Sequence, residues 1–404
     1  MTQESRRKPG LFEYALVTVL VAAMIIDGLD MQLLSLVAPL ILAEWHIDKA
    51  AFGPAMSAAL IGMSAGVVAG GWLGDRVGRK AVLVVSFVVF GASTLWVALA
   101  GGMSTLVALR FLAGFSFGAI APNTITVLSE FLPMPLRARG ISLMSIGTPI
   151  GGMLGAVLLA ALLPLIGWRG NFALFGALAL LMAGAVYVVV PGDGRRSALV
   201  IETGEDFPVT WRFKAGSWLT FFCTTYVAYA CTAWLPTLTT LNALPLQRGL
   251  DAMFWFNLLA MCGAASGGFL VTILGSRKLL PGMAVLAGIG VALLLWSMGP
   301  AGRASVDVMR IGVALIGFAT ATLLATLYVV LAHGYPASRR AAGVGIGMLL
   351  GRFGGVASSW FGGQLLGAGV ADSAPFYLSL LVSAVGIVIG LFVIDRHVPG
   401  TGYR

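Results

Sequence analysis

The chain has 404 residues, of which 59% are hydrophobic and 10% charged, with 25 Lys and Arg against 16 Asp and Glu. That balance excludes a soluble globular protein and specifies an integral membrane protein. Cys223, Cys231 and Cys262 lie in apolar stretches without metal spacing, which argues against a disulfide framework or a metal site.

Apolar runs recur at lengths that suit helices crossing a hydrocarbon core of roughly 30 Å. They predict twelve spans, at 14–42, 52–73, 81–101, 104–130, 141–165, 170–190, 215–241, 251–274, 280–298, 306–332, 341–367 and 375–394. The expected fold is all-α, with two six-helix bundles at 1–190 and 215–404 joined by a polar cytoplasmic linker at 191–214. Ahead of span 1, residues 1–10 are polar and basic, and no small-residue cleavage site follows the span, so the first helix is expected to persist.

Span 1 carries Asp27 and Asp30 in an otherwise apolar stretch. An ionised carboxylate near a helix centre costs roughly 2.5 to 3.5 kcal/mol on insertion scales, so such residues face a bundle interior, a wet cavity or a partner. Three residues apart, the two share one helix face and suggest a proton or cation site. After span 2 comes Gly71-Trp72-Leu73-Gly74-Asp75-Arg76-Val77-Gly78-Arg79-Lys80. This reads as a glycine-permitted turn that brings Asp75 to a neighbouring helix end, with Arg76, Arg79 and Lys80 free for carboxylates or lipid phosphates. A gate latch fits that spacing. Span 4 holds Arg110, Asn123 directly after Pro122, and Glu130 near its inner end, a gate contact for Arg137, Arg139 or the span 2 loop. Asn123 and, in span 8, Asn257 are amides that need hydrogen-bond partners inside a membrane and could face a ligand. Tyr226, Tyr229 and Trp234 in span 7 could wall an aromatic one. Arg352 in span 11 is a permanently charged planar fork suited to a carboxylate.

Depth arithmetic at 1.5 Å per residue puts Asp27 about 20 Å from the cytoplasmic edge and level with Arg110, Asp30 about 4 to 5 Å higher, and Arg352 about 17 Å deep. Basic residues concentrate at the termini and after even-numbered spans, as at Arg76, Arg79, Lys80, Arg277 and Lys278. The opposite loops carry Lys49, Arg169, Arg248 and Arg303. By the positive-inside rule both termini are cytoplasmic, and the formal charge of +9 reflects this bias without any nucleic-acid partner. The halves echo each other near an offset of 200: Arg110 with Arg310, and Gly70-Gly71-Trp72-Leu73 with Gly267-Gly268-Phe269-Leu270. Parallel halves favour a central site between them.

The span 2 loop resembles the signature of the major facilitator superfamily, although the second-half copy lacks the acid, with Thr272 or Ile273 near its place. Four further segments look like the aromatic acid:proton symporter family of bacteria. They are Asp27-Gly28-Leu29-Asp30, the stretch from Arg110-Phe111-Leu112-Ala113-Gly114 to Pro122-Asn123 and Ser129-Glu130, Tyr335 to Gly343, and Gly351-Arg352-Phe353-Gly354-Gly355. The resemblance implies proton-coupled uptake of an aromatic carboxylate such as a benzoate or hydroxybenzoate across a bacterial cytoplasmic membrane. It makes Asp27, Asp30 and Arg110 the coupling residues. Gly147-Thr148-Pro149-Ile150-Gly151-Gly152 is similar to a signature of proton-coupled drug antiporters, which keeps export of drugs or metabolites as the alternative. The expected partners are an organic anion, a proton and the bilayer, with a functional monomer and no cofactor. No nucleophile and base constellation suggests an enzyme.

Overall fold

The computed structural model describes residues 10–132, 134–192, 208–298, 305–336, 340–366 and 373–399. Both chain ends, Arg303, the Ser338-Arg339 stretch and most of the expected linker (193–207) lie outside the described residues, as do the side chains of Ser129, Arg137 and Arg139.

The described residues form eleven helices: α1 (Leu11–Trp45), α2 (Lys49–Val77), α3 (Arg79–Val97), α4 (Met103–Phe131), α5 (Met134–Val189), α6 (Trp211–Leu241), α7 (Leu246–Leu274), α8 (Ser276–Met298), α9 (Val306–Gly334), α10 (Arg340–Leu365) and α11 (Ala374–Val393). Helices satisfy their backbone polar groups internally, which is what a lipid environment requires. α5 is two helices run together at Gly167, whose φ of 64° and ψ of −177° no helix contains. The predicted spans 5 and 6 lie on either side of it.

Among the described residues, nine helices are long and apolar enough to cross a membrane. The two that fall short, α6 and α10, are diluted by threonines and by glycine, serine and Arg352. They pack on each other, as do α7 and α9, α8 and α9, and α3 with both α4 and α5. Two buried threonines of α6 donate to carbonyls one turn back, Thr220 to Gly216 and Thr225 to Phe221, which satisfies their hydroxyls without water.

The chain divides into two compact units, one of residues 1–40 with 54–198, the other of residues 41–53 with 199–404. In the second unit Gly53 sits on the backbone of Trp360 in α10, where a Cβ would collide. Leu16, Leu20, Phe87, Phe90 and Phe117 centre the first core; Phe213, Phe221, Leu323, Leu327 and Leu331 centre the second.

Candidate functional site

In the first unit, α1 presents Asp30 to Arg110 of α4. Arg110 Nη1 donates to Asp30 Oδ1 at 3.0 Å and Nη2 to Oδ2 at 2.7 Å, while Thr94 Oγ1 of α3 adds a third donor to Oδ1 at 3.1 Å. This is a fork-to-fork pair, the strongest geometry available to a guanidinium and a carboxylate. Arg110 is 1% exposed, so neither charge has water to fall back on. Removing one partner from such a pair costs about 3 to 5 kcal/mol. One turn down α1, Asp27 accepts from Thr148 Oγ1 of α5 at 3.2 Å. α1 and α5 meet this closely because Gly28 lies against the Thr148 carbonyl and Gly151 against that of Ile25, where any Cβ would collide.

Depth counting matched Arg110 with Asp27, whereas the structure pairs it with Asp30. The guanidinium sits at the end of a side chain about as long as one helical turn of ~5.4 Å, so Cα depth cannot distinguish residue i from i+3. Thr94, and the contact of Thr148 with Asp27, escaped the sequence reading because a threonine in an apolar span carries no mark of what it faces.

At the α2–α3 turn, Gly78 adopts φ 95° and Arg79 gathers the contacts. It pairs with Asp75 at 2.8 Å, donates to the Gly74 carbonyl at 2.8 Å and reaches Glu130 of α4 at 3.5 Å. The reach to the neighbouring helix therefore belongs to Arg79, not to Asp75, which is 72% exposed. An arginine spans that gap and an aspartate does not. Arg76 lies instead over the Trp72 ring at 4.0 Å.

In the second unit, Arg352 of α10 holds its Nη1 buried with no hydrogen-bond partner among the described residues. Its charge acts on the Tyr328 hydroxyl of α9, and the Tyr328 ring packs edge-on to Phe221 of α6, centroids 5.2 Å apart. Tyr328 keeps 38% of its surface open. Tyr229 lies against Gly355, and Tyr226 is half-buried with its ring 6.4 Å from Phe222. Tyr328 and Phe221 were not singled out from the sequence; a lone tyrosine deep in span 10 was the available signal.

Three expected ligand contacts have other roles in this structure. Trp234 is 0% exposed and packs on Gly362 and Gly363. Asn123 donates to the carbonyls of Gly70 and Ala119 at 2.9 and 2.8 Å, tying α4 to α2. Asn257 is buried and donates to the Met253 carbonyl at 2.8 Å. An amide in a membrane helix always has its own carbonyl four residues back within reach, and the two asparagines use it. Arg310, the repeat counterpart of Arg110, pairs with Asp251 and, at 3.3 Å, with Asp307.

The family model of the Major Facilitator Superfamily matches residues 20–302. The 4-hydroxybenzoate transporter PcaK of Pseudomonas aeruginosa is 31% identical over 397 residues, covering 89% of this chain and 87% of that protein. A gallate transporter of Pseudomonas putida is 28% identical, with 92% of this chain and 89% of that one covered. Among solved structures, a bacterial homologue of the human lysosomal transporter Spinster, inward-facing and occupied, superposes with a TM-score of 0.79 at 16% identity, over 96% of this chain and 97% of that one. That likeness speaks to the fold alone. With a matching family model over most of its length, apolar helices throughout and transporters as relatives, the chain belongs to the major facilitator superfamily of membrane transporters.

Proposed function

We propose that this protein takes up an aromatic carboxylate, such as a benzoate or hydroxybenzoate, together with a proton, by alternating access across a bacterial cytoplasmic membrane. The observation that carries the reading is the buried Asp30–Arg110 pair, a carboxylate held in the membrane by a charge that cannot leave it. The relatives' substrates, 4-hydroxybenzoate and gallate, are aromatic acids, and they support the choice of cargo.

In this reading a proton arriving at Asp30 or Asp27 neutralises a carboxylate and loosens the hold of Arg110. The Arg352 guanidinium takes the substrate carboxylate, with its buried Nη1 as a ready donor. Tyr226 and Tyr229 offer ring faces nearby on α6. With the acid neutral and the anion paired, the loaded protein carries little uncompensated charge through the cycle. One proton with one monoanion is electroneutral; a second proton would add about 2.3 kcal/mol per 100 mV.

The glycines of the 147–152 segment are accounted for by the close α1–α5 approach, so that segment does not by itself favour export. Proteoliposomes with an imposed pH gradient decide the direction. Symport accumulates labelled 4-hydroxybenzoate on the alkaline side; accumulation on the acidic side would replace this reading with antiport. A panel of benzoate, protocatechuate and non-aromatic carboxylates then defines the cargo.

A further inference from the structure

The outer face of α2, α3 and α4 carries a groove of about 380 Å³ that no part of the transport reading uses. Its walls are almost wholly apolar, and small residues line it, among them Gly70, Ala81, Ser86, Ser116 and Ala119. Along α3 it runs from Ala81 to Val89, which at 1.5 Å per residue is ~12 Å. Half of a ~30 Å hydrocarbon core is about the same depth. Val77, Ala81 and Val85 also line a second cavity of about 310 Å³ at the start of α3, where Lys80 and Tyr187 replace the apolar wall. The Lys80 ammonium stands 4.8 Å from the centre of the Tyr187 ring. Arg76 adds a second cation on the same turn. The nearby carboxylate Asp75 is engaged by Arg79.

We propose that the two joined cavities form a binding site for one anionic phospholipid of the cytoplasmic leaflet. Its phosphate is held by Lys80 and one acyl chain lies in the groove of α2, α3 and α4. The charge at one end and the apolar length at the other match the two parts of such a lipid in the order the leaflet imposes. Tyr187 steadies the ammonium through its ring face and leaves its protons free to donate. Annular solvation would need neither a concave, small-residue lining nor a cation at its head.

The test uses the full protein in nanodiscs of equimolar dioleoylphosphatidylglycerol and dioleoylphosphatidylcholine, re-extracted into dodecyl maltoside, with co-purifying lipid counted by mass spectrometry. The wild type should retain phosphatidylglycerol over phosphatidylcholine about fivefold, the ratio expected of ~1 kcal/mol per basic contact. Lys80→Gln should bring the ratio to about one, and Lys80→Arg should keep it. Ala81→Phe, which blocks the junction of the cavities, should cut retained phosphatidylglycerol with Lys80 intact. Ser86→Leu fills the groove further along and reports the same loss if Ala81→Phe fails to fold. Equal retention of both lipids, an undiminished preference in Lys80→Gln, or undiminished retention in a folded groove variant would overturn the site. Full displacement by inorganic phosphate would show an ion site without a chain groove, and would overturn it too.

Discussion

The helix pairs α1–α5 and α6–α10 are built alike and charged oppositely. In each, a glycine lets two backbones touch: Gly151 against Ile25 in the first, Gly354 against Phe222 in the second. At the crossing of the first pair the acidic side chains are Asp27 and Asp30 on α1, and α5 answers with Thr148. In the second pair the middle of α6 offers threonines and tyrosines, and the cation away from the helix ends is Arg352 on α10. The glycine contact is common to the two crossings, while the side chains around it differ. The arginines of the repeat differ in the same way. Arg110 is buried against one carboxylate, while Arg310 is 33% exposed and shared between two acids. Buried, such a pair is costly to break by removing one partner; where solvent reaches it, it is worth little.

The sharpest break of this comparison is Asp30→Asn. It should destabilise the protein by about 3 to 5 kcal/mol through the stranded Arg110, and abolish proton-driven accumulation. Arg310→Gln should cost below about 1 kcal/mol. Melting in detergent, read beside uptake, checks both, and similar losses for the two variants would dissolve the contrast between the units. Joining Asp30→Asn to Arg110→Gln should recover stability but not accumulation.

Gly354→Ala sets a Cβ against the Phe222 carbonyl and should cost about 1 to 3 kcal/mol by overpacking. Gly268→Ala, with nothing within 4 Å, serves as its control on the same melting assay. A next, smaller effect is expected of Arg352→Lys, which keeps the charge and discards the planar fork. Substrate affinity should fall about tenfold, equivalent to ~1.4 kcal/mol. An unchanged affinity would take Arg352 out of the anion site.

The gentlest test concerns residues 394–399, beyond the last helix. His397 Nδ1 lies 3.3 Å from Ser276 Oγ, whose hydroxyl also accepts from the Val398 amide. Burial first, and then the Arg277 charge, hold the imidazole below its ordinary value, with a hydrogen bond to the Ile394 backbone and the Asp395 charge opposing. A lowered value in the docked state means docking favours the neutral ring. Its contribution is complete above about pH 6.5 and is lost as pH falls through the lowered value. Protection of this tail against hydrogen exchange, corrected for the intrinsic pH dependence of amide exchange, should therefore fall at pH 5 relative to pH 7.5, and His397→Gln should flatten that difference.

The division into long apolar helices was legible because lipid demands continuous runs of one character, and the break between spans 5 and 6 coincides with Gly167. Charged residues stood out for the same reason. Their pairing did not, since an arginine reaches a full turn from its own backbone and chose Asp30 over Asp27. Polar residues have a local solution that the sequence does not display: Asn123 and Asn257, expected at the ligand, each donate to a backbone carbonyl one turn back. Thr94, and the contact of Thr148 with Asp27, were invisible because only the neighbouring helix gives their hydroxyls a meaning.

The Asp30–Arg110 contact joins residues 80 positions apart. At ribosomal speeds of about 5 to 20 residues per second, the aspartate emerges roughly 4 to 16 s before its counter-ion exists. During that interval α1 carries the cost of an unpaired carboxylate, about 2.5 to 3.5 kcal/mol on insertion scales, until Arg110 of α4 is made. Nascent chains arrested before Arg110 should be the ones that membrane quality-control proteases remove first.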